Sequence, residues 1–211
     1  MSEAPALVLA TRNPGKAGEF ARLLRDRFQV EVVPDEVELP EETGRTFEEN
    51  ARRKAEAVFV ALGGKAAVLA DDSGLEVAAL RGRPGVLSAR YAGEKTRDAD
   101  NVAKLLAALA GGRDRRARFV CALCLALQSG CAGGRAALRF VEARGVVEGV
   151  ITGAPRGSGG FGYDPVFQPR GSKLTLAEAS AAGKDRVSHR AAAVRALLFR
   201  LDDEGWPNGG S

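Results

Sequence analysis

Two short stretches carry residue types that could do phosphate chemistry. The first, LATRNPGK, runs from an apolar segment at Leu9 into a polar turn that ends on Lys16. A turn from strand to helix points free backbone N–H groups outward, and Thr11, Asn13 and Lys16 add side-chain donors, so the turn, with Arg12, Pro14 and Gly15 inside it, is a candidate anion site. Its spacing fits neither GxxxxGK[ST], since the upstream glycine is missing and Ala17 follows Lys16, nor GxGxxG. A plain solvated turn is the competing reading. The second stretch, DDSG, follows the apolar run Ala66 to Ala70, at the edge where open α/β sheets place ligands. Side chains alternate in an extended chain, so one of Asp71 and Asp72 is expected to face a given cleft. Paired carboxylates supply the oxygen ligands that Mg²⁺ selects, whereas an Asx-type turn capped by Ser73 is the structural alternative.

Three further groups surround these. Glu41 and Glu42 form a second acidic element ahead of TFEENARRKAEAVFVALGG, where Asn50 and Lys54 are four apart and share a helix face. In GSGGFGYDP, the glycines allow close backbone approach, while Phe161 and Tyr163 offer flat faces to a base, with Gly162 and Asp164 between and after them. Lys184 and SHR, Ser188 to Arg190, hold the chain's one histidine, and His189 beside Arg190 at a helix start suits an anion or a carbonyl oxygen.

The elements that must position these residues follow from periodicity. Ala6 to Ala10 reads as a buried strand, and Phe20, Leu23, Leu24 and Phe28 as one stripe of a helix. Val30 to Val33 is a short strand. Thr46 and Glu49 make a capping box for a helix whose stripe is Phe47, Ala51, Ala55, Val58 and Leu62, stopped at Gly63. Ala66 to Ala70 is a strand that ends in DDSG, Arg81 to Arg97 is irregular, and Asp100 to Ala110 is a helix closed by Gly111 and Gly112. Phe119 to Leu127 is apolar throughout, as a strand buried on both faces requires. Ala137 to Ile151 pairs with it antiparallel after a glycine-rich loop at Gln128 to Arg135. Thr175 and Glu178 form a capping box, Gly183 breaks the chain, and Val194, Leu197, Leu198 and Leu201 stripe a last helix. Residues 1–204 read as one α/β domain and 205–211 as a disordered tail.

Composition narrows the class. With 211 residues, 45% of them apolar and 27% charged, the chain can bury a sizeable core. The net charge of +4 is scattered, so nucleic-acid binding is not demanded, and a small anion suits it equally. Cys121, Cys124 and Cys131 are odd in number and lie in or near apolar sequence, so core packing is expected in place of zinc or a disulfide. No segment reaches the length of a membrane span and the N-terminus has no leader pattern, so the expectation is a cytoplasmic protein.

Taken together, LATRNPGK, EETGRTFEENARRKA, LADDSGLEV, GRPGVLSARYAG, GVITGAPRGSGGFGYDPVF and AGKDRVSHRAAA resemble, in order, the inosine triphosphate pyrophosphatase family. The resemblance implies a strongly twisted mixed β-sheet flanked by helices, in two lobes with a nucleotide in a central cleft, and a homodimer. It implies hydrolysis of ITP, dITP and XTP to monophosphate and pyrophosphate with Mg²⁺, and no nucleic-acid or membrane partner. Carried over, Thr11 to Lys16 and Lys54 hold the triphosphate and sugar, Asp72 is proton acceptor and metal ligand, and Glu41 or Glu42 completes the metal site. Ser73 touches substrate, and Phe161, Gly162, Tyr163, Asp164, Lys184, His189 and Arg190 surround the base. A Maf-like nucleotide pyrophosphatase and a nucleotide-sensing or RNA-binding protein without turnover are the alternatives.

Overall fold

A computed structural model describes residues 4–132 and 135–206, and of 129–132 and 135–137 the backbone alone. Gly133, Gly134, the Cys131 side chain and positions 207–211 of the expected tail lie outside the described residues. Six strands form one sheet in the order β2-β1-β3-β4-β5-β6. β1 (Ala6–Leu9) runs parallel to β2 (Gln29–Val32) and to β3 (Ala67–Val77), and β5 (Arg135–Ile151) runs antiparallel to β6 (Phe167–Pro169), so the sheet is mixed. Helices α1 (Pro14–Leu24) and α2 (Phe47–Ala61) lie in the parallel crossovers, α3 (Asp98–Ala108) precedes β4 (Arg116–Ala132), and α4 (Ala181–Val187) and α5 (His189–Asp203) end the fold. This is the mixed α/β architecture that the sequence resemblance implies.

The chain divides into two compact units. One comprises Met1–Asp72, Ala122–Arg144 and Ala193–Ser211; its core includes Leu7, Leu9, Phe20, Leu24, Phe47, Val58, Leu69 and Leu125, all buried. The other comprises Ser73–Cys121 and Gly145–Ala192, with a core of Leu75, Val77, Leu105, Phe119, Ile151, Val166 and Phe167. Each fully buried Leu or Phe contributes roughly 1.5–3 kcal/mol, so either core outweighs any single polar contact described below. Cys121 and Cys124 are buried thiols outside any disulfide, and burial pushes the Cys124 thiol up to about 12, the behaviour of a small inert core residue.

The local pattern misleads in four places, each for a physical reason. β3 does not stop at DDSG but continues to Val77, because Asp71 and Asp72 find partners from other elements and the strand need not end to solvate them. The glycine-rich stretch read as a loop is strand as far as Ala132 and again from Arg135; a backbone ladder needs no apolar side chains to continue. Two residues between neighbouring strands leave only the antiparallel pairing of β4 with β5. Thr175 and Glu178 exchange both capping-box hydrogen bonds, at 2.8 and 3.3 Å, yet close a turn; the helix starts later, at Ala181, capped by Ser180. Gly183 sits inside that helix, and the break falls at Ser188, whose extended backbone ends α4 while its hydroxyl accepts from Ala191 N–H in α5.

Candidate active site

Sheet register builds the first cluster, which lies wholly in the first unit. Leu9 pairs with Leu69 and Ala10 N–H donates to Leu69 O at 2.8 Å, so the residues after β1 emerge beside those after Ala70. Asn13 caps α1, its side chain accepting from Lys16 N–H at 3.0 Å, and Pro14 at the first helical position presets the backbone. Lys16 therefore stands in the first turn, and its Nζ is 2.9 Å from Asp71 Oδ2. Thr11 is buried and accepts from Asn13 N–H. Arg12 turns elsewhere, donating to the carbonyls of Val33, Pro34 and Val37.

The capped helix α2 supplies the rest. Asn50 and Lys54 do share a face: Lys54 Nζ pairs with the Glu42 carboxylate and donates to Asp71 O at 3.0 Å, and Asn50 Nδ2 donates to Asp72 Oδ2 at 2.8 Å. Of the two neighbouring glutamates, Glu42 reaches the cluster and Glu41 is exposed. Asp71 and Asp72 both have partners in it, Lys16 meeting the first side chain and Asn50 the second, while Lys54 reaches the Asp71 backbone carbonyl. Burial, then the charge of Glu42, raise Asp72 to about 6, against the pull of Asn50, Lys16 and Lys54. Burial works to lower the Lys54 ammonium, but Asp71, Glu42 and Asp72 outweigh it and hold that group above its ordinary value.

This is a hard, all-oxygen donor set with an excess of carboxylate, which suits a hard divalent cation. Among the described residues, no three His, Cys, Asp or Glu side chains are grouped to hold a metal by themselves. A cation that keeps several waters and draws further oxygens from a phosphate does not need three.

The second cluster lies wholly in the second unit. Gly160 has φ +71°, and a Cβ there would stand 2.1 Å from Asp164 Oδ2, so the turn admits only glycine. Asp164 Oδ2 accepts from Phe161 N–H at 2.9 Å and pairs with the Lys184 ammonium. Burial raises the Asp164 carboxyl, with Lys184, the Phe161 N–H and Arg190 pulling the other way. Lys184 Nζ and the Arg190 guanidinium lie 4.8 and 4.9 Å from the centre of the half-buried Phe161 ring. Arg190 also donates to Ser73 Oγ at 2.9 Å.

His189 opens α5 and is stacked on Phe119, with ring centres 4.5 Å apart and planes 10° from parallel. Tyr163, expected to offer a second flat face, is instead part of the core, its hydroxyl donating to Ser88 O at 2.9 Å. A cavity of about 390 Å³ opens between α3 and this loop, lined among others by Asp98, Val102, Leu106, Pro155 and Phe161. Asn50 and Asp98 are the polar residues that sequence reasoning left out of the site. The four-residue spacing to Lys54 was a signal for Asn50. Asp98, whose Oδ2 accepts from Gly162 N–H at 2.6 Å, had none.

Comparison with known proteins gives a consistent picture. A model of the Ham1 family matches residues 7–199. The dITP/XTP pyrophosphatase of Bacillus licheniformis is 47% identical over 201 residues, covering 93% of this chain and 97% of that protein. The dITP/XTP pyrophosphatase of Bacillus subtilis is 45% identical over 200 residues, 92% and 96% of the two chains. The solved structure of the Staphylococcus aureus Ham1 protein superposes with a TM-score of 0.78 at 40% identity, covering 94% of this chain and 99% of that one.

Proposed function

Because the chain belongs to the Ham1 family, we propose that it hydrolyses non-canonical purine nucleoside triphosphates, ITP, dITP and XTP, to the nucleoside monophosphate and pyrophosphate. The observation that carries this reading is the convergence of Lys16 and Glu42 on the buried Lys54, Asp71 and Asp72. In this reading Thr11 and Asn13 to Lys16 receive the triphosphate, with the N–H groups of the α1 amino end as donors. Lys16 and Lys54 stabilise the charge that grows on departing pyrophosphate. Asp72, whose burial raises its basicity, orients a water and takes its proton as the water attacks the α-phosphorus. Glu42 and Asp72 are the side chains that would hold Mg²⁺, which when bound neutralises triphosphate charge and orients its oxygens. Arg12 has the weakest support among the proposed binding residues, since its donors are already engaged by backbone carbonyls.

For the base, Phe161 offers its face, and Arg190 and His189 supply donors for a 6-oxo group; the 6-amino group of adenine would leave such donors unpaired, a loss of about 1–3 kcal/mol per buried group. Lys184 is held by Asp164 against the same ring, which supports its role there. Asp72 and Ser73 are consecutive residues of β3. The proposal extends to a homodimer in the cytoplasm, which rests on the family resemblance. No described helix is long and apolar enough to cross a membrane.

The test is product analysis with Mg²⁺ over ITP, dITP, XTP, GTP and ATP. Release of pyrophosphate from the first three, with ATP turned over far more slowly, is the expected result. Orthophosphate as product, or equal turnover of all five, overturns the reading.

A further inference from the structure

Asn50 is 2% exposed and makes two hydrogen bonds that fix which way its amide points. Its Oδ1 accepts from Gly44 N–H at 2.7 Å, which leaves the Nδ2 end to donate to Asp72 Oδ2 at 2.8 Å. An amide can serve a donor on one side and an acceptor on the other; an aspartate of the same shape cannot. The contact with Gly44 is close enough to select the residue there: a Cβ on Gly44 would lie 2.5 Å from Asn50 Oδ1 and 3.0 Å from Glu49 Cβ. Gly44 is two residues beyond Glu42, on the segment that brings that carboxylate to Lys54. Asn50 sits one helical turn before Lys54 on α2, so the same element sets Asn50 and the lysine that pairs with Glu42.

We propose that Gly44 and Asn50 form a positioning device, in which the Asn50 amide ties the Glu42 segment to Asp72 and commits Asp72 Oδ2, so that Oδ1 is the oxygen presented to water or metal. This rests on the pyrophosphatase reading of the cluster. The Asn50 amide is taken up by Gly44 and Asp72, so its loss is expected to lower turnover and leave substrate affinity nearly unchanged.

Asn50→Asp separates the two functions of the amide, because it keeps the acceptor for Gly44 and removes the donor for Asp72. With ITP and Mg²⁺, the expected result is a fall in kcat of about a hundredfold for Asn50→Asp and for Asn50→Ala, the scale of a misplaced reacting group, with KM moving by less than about threefold. Gly44→Ala, whose Cβ would collide with Asn50 Oδ1 and displace the amide, is expected to follow them. Asn50→Asp turning over like the wild type overturns the proposal, since Asn50 would then merely hold the Gly44 segment; so does a loss confined to KM.

A second readout needs no turnover. In metal-free wild type, one side-chain amide proton of Asn50, followed by NMR, exchanges slowly with solvent, and Asp72→Ala abolishes that protection while the Gly44 amide stays protected. Fast exchange of the Asn50 amide in wild type overturns the proposal whether or not any variant folds. Absence of pyrophosphate release by the wild type, with the amide protected, would instead refute the functional reading and leave the geometry standing.

Discussion

The lysine–carboxylate cluster around Asp72 and the aromatic cluster around Phe161 are both largely buried, yet their charges are unbalanced in opposite senses. In the first, three carboxylates face two ammonium groups, and Asp72 is raised by burial first and by the neighbouring Glu42 charge second. In the second, Lys184, Arg190 and His189 accompany a single carboxylate, Asp164. A surplus of acceptors in a desolvated place is relieved by a cation or a proton, and a surplus of donors by a carbonyl oxygen. The two groupings therefore call for different kinds of ligand atom.

The contrast is sharpest at Asp72. Asp72→Asn removes the surplus carboxylate, and turnover of ITP is expected to fall by about 10²–10⁴-fold, the scale of a lost general base. The same change is expected to raise the melting temperature in metal-free buffer. A carboxyl whose folded value is near 6 against an unfolded 3.8 opposes folding by up to about 3 kcal/mol above pH 6. That opposition vanishes below both values, so the stability gain of the variant shrinks as pH falls from 6 toward 4. A gain that grows on acidification would contradict the assignment of charge to this cluster.

Lys54→Met is next. Stopped assays should show kcat/KM for ITP reduced about 10²–10³-fold through lost stabilisation of the leaving group. Unfolding by denaturant should show a loss of about 1–3 kcal/mol from the unpaired Glu42 and Asp71 oxygens. Stability therefore moves in opposite directions for Lys54→Met and Asp72→Asn, as it must if acid is in excess. The donor-rich cluster predicts a different signature. Phe161→Ala should raise KM for every purine triphosphate by about tenfold, from a stacking contribution of roughly 1–3 kcal/mol, with kcat little changed. A change in ITP-to-ATP preference from that variant would show that the ring itself reads the 6-position. The smallest effect belongs to neither cluster: Cys124, pushed up to about 12, should resist alkylation at pH 8 until the protein is unfolded.

How much of this was legible in the sequence depended on whether the determining partner was local. Thr46 capping α2 and Asn50 sharing a face with Lys54 are set within four residues, and the pattern alone locates them. The continuation of β3 through two aspartates was not legible, because the lysines that permit it come from α1 and α2, far away in the chain. The choice between Glu41 and Glu42 was equally out of reach, since adjacent residues on an irregular segment have no periodicity to separate them. Tyr163 looked like a partner for Phe161 because both are aromatic, but its hydroxyl finds Ser88 O and its ring joins the core, which no local rule reports. At Thr175 and Glu178 the capping bonds form as written and the helix does not, since nothing after them continues the turn.

The unbroken run of β3 from Ala67 to Val77 limits how this enzyme can change its length over time. Asp71, Asp72 and Ser73 reach three different partners from successive positions of one strand. Inserting or deleting a single residue there would exchange the two sides of the strand for everything beyond it, separating Ser73 from Arg190 or Asp72 from Asn50 at a stroke.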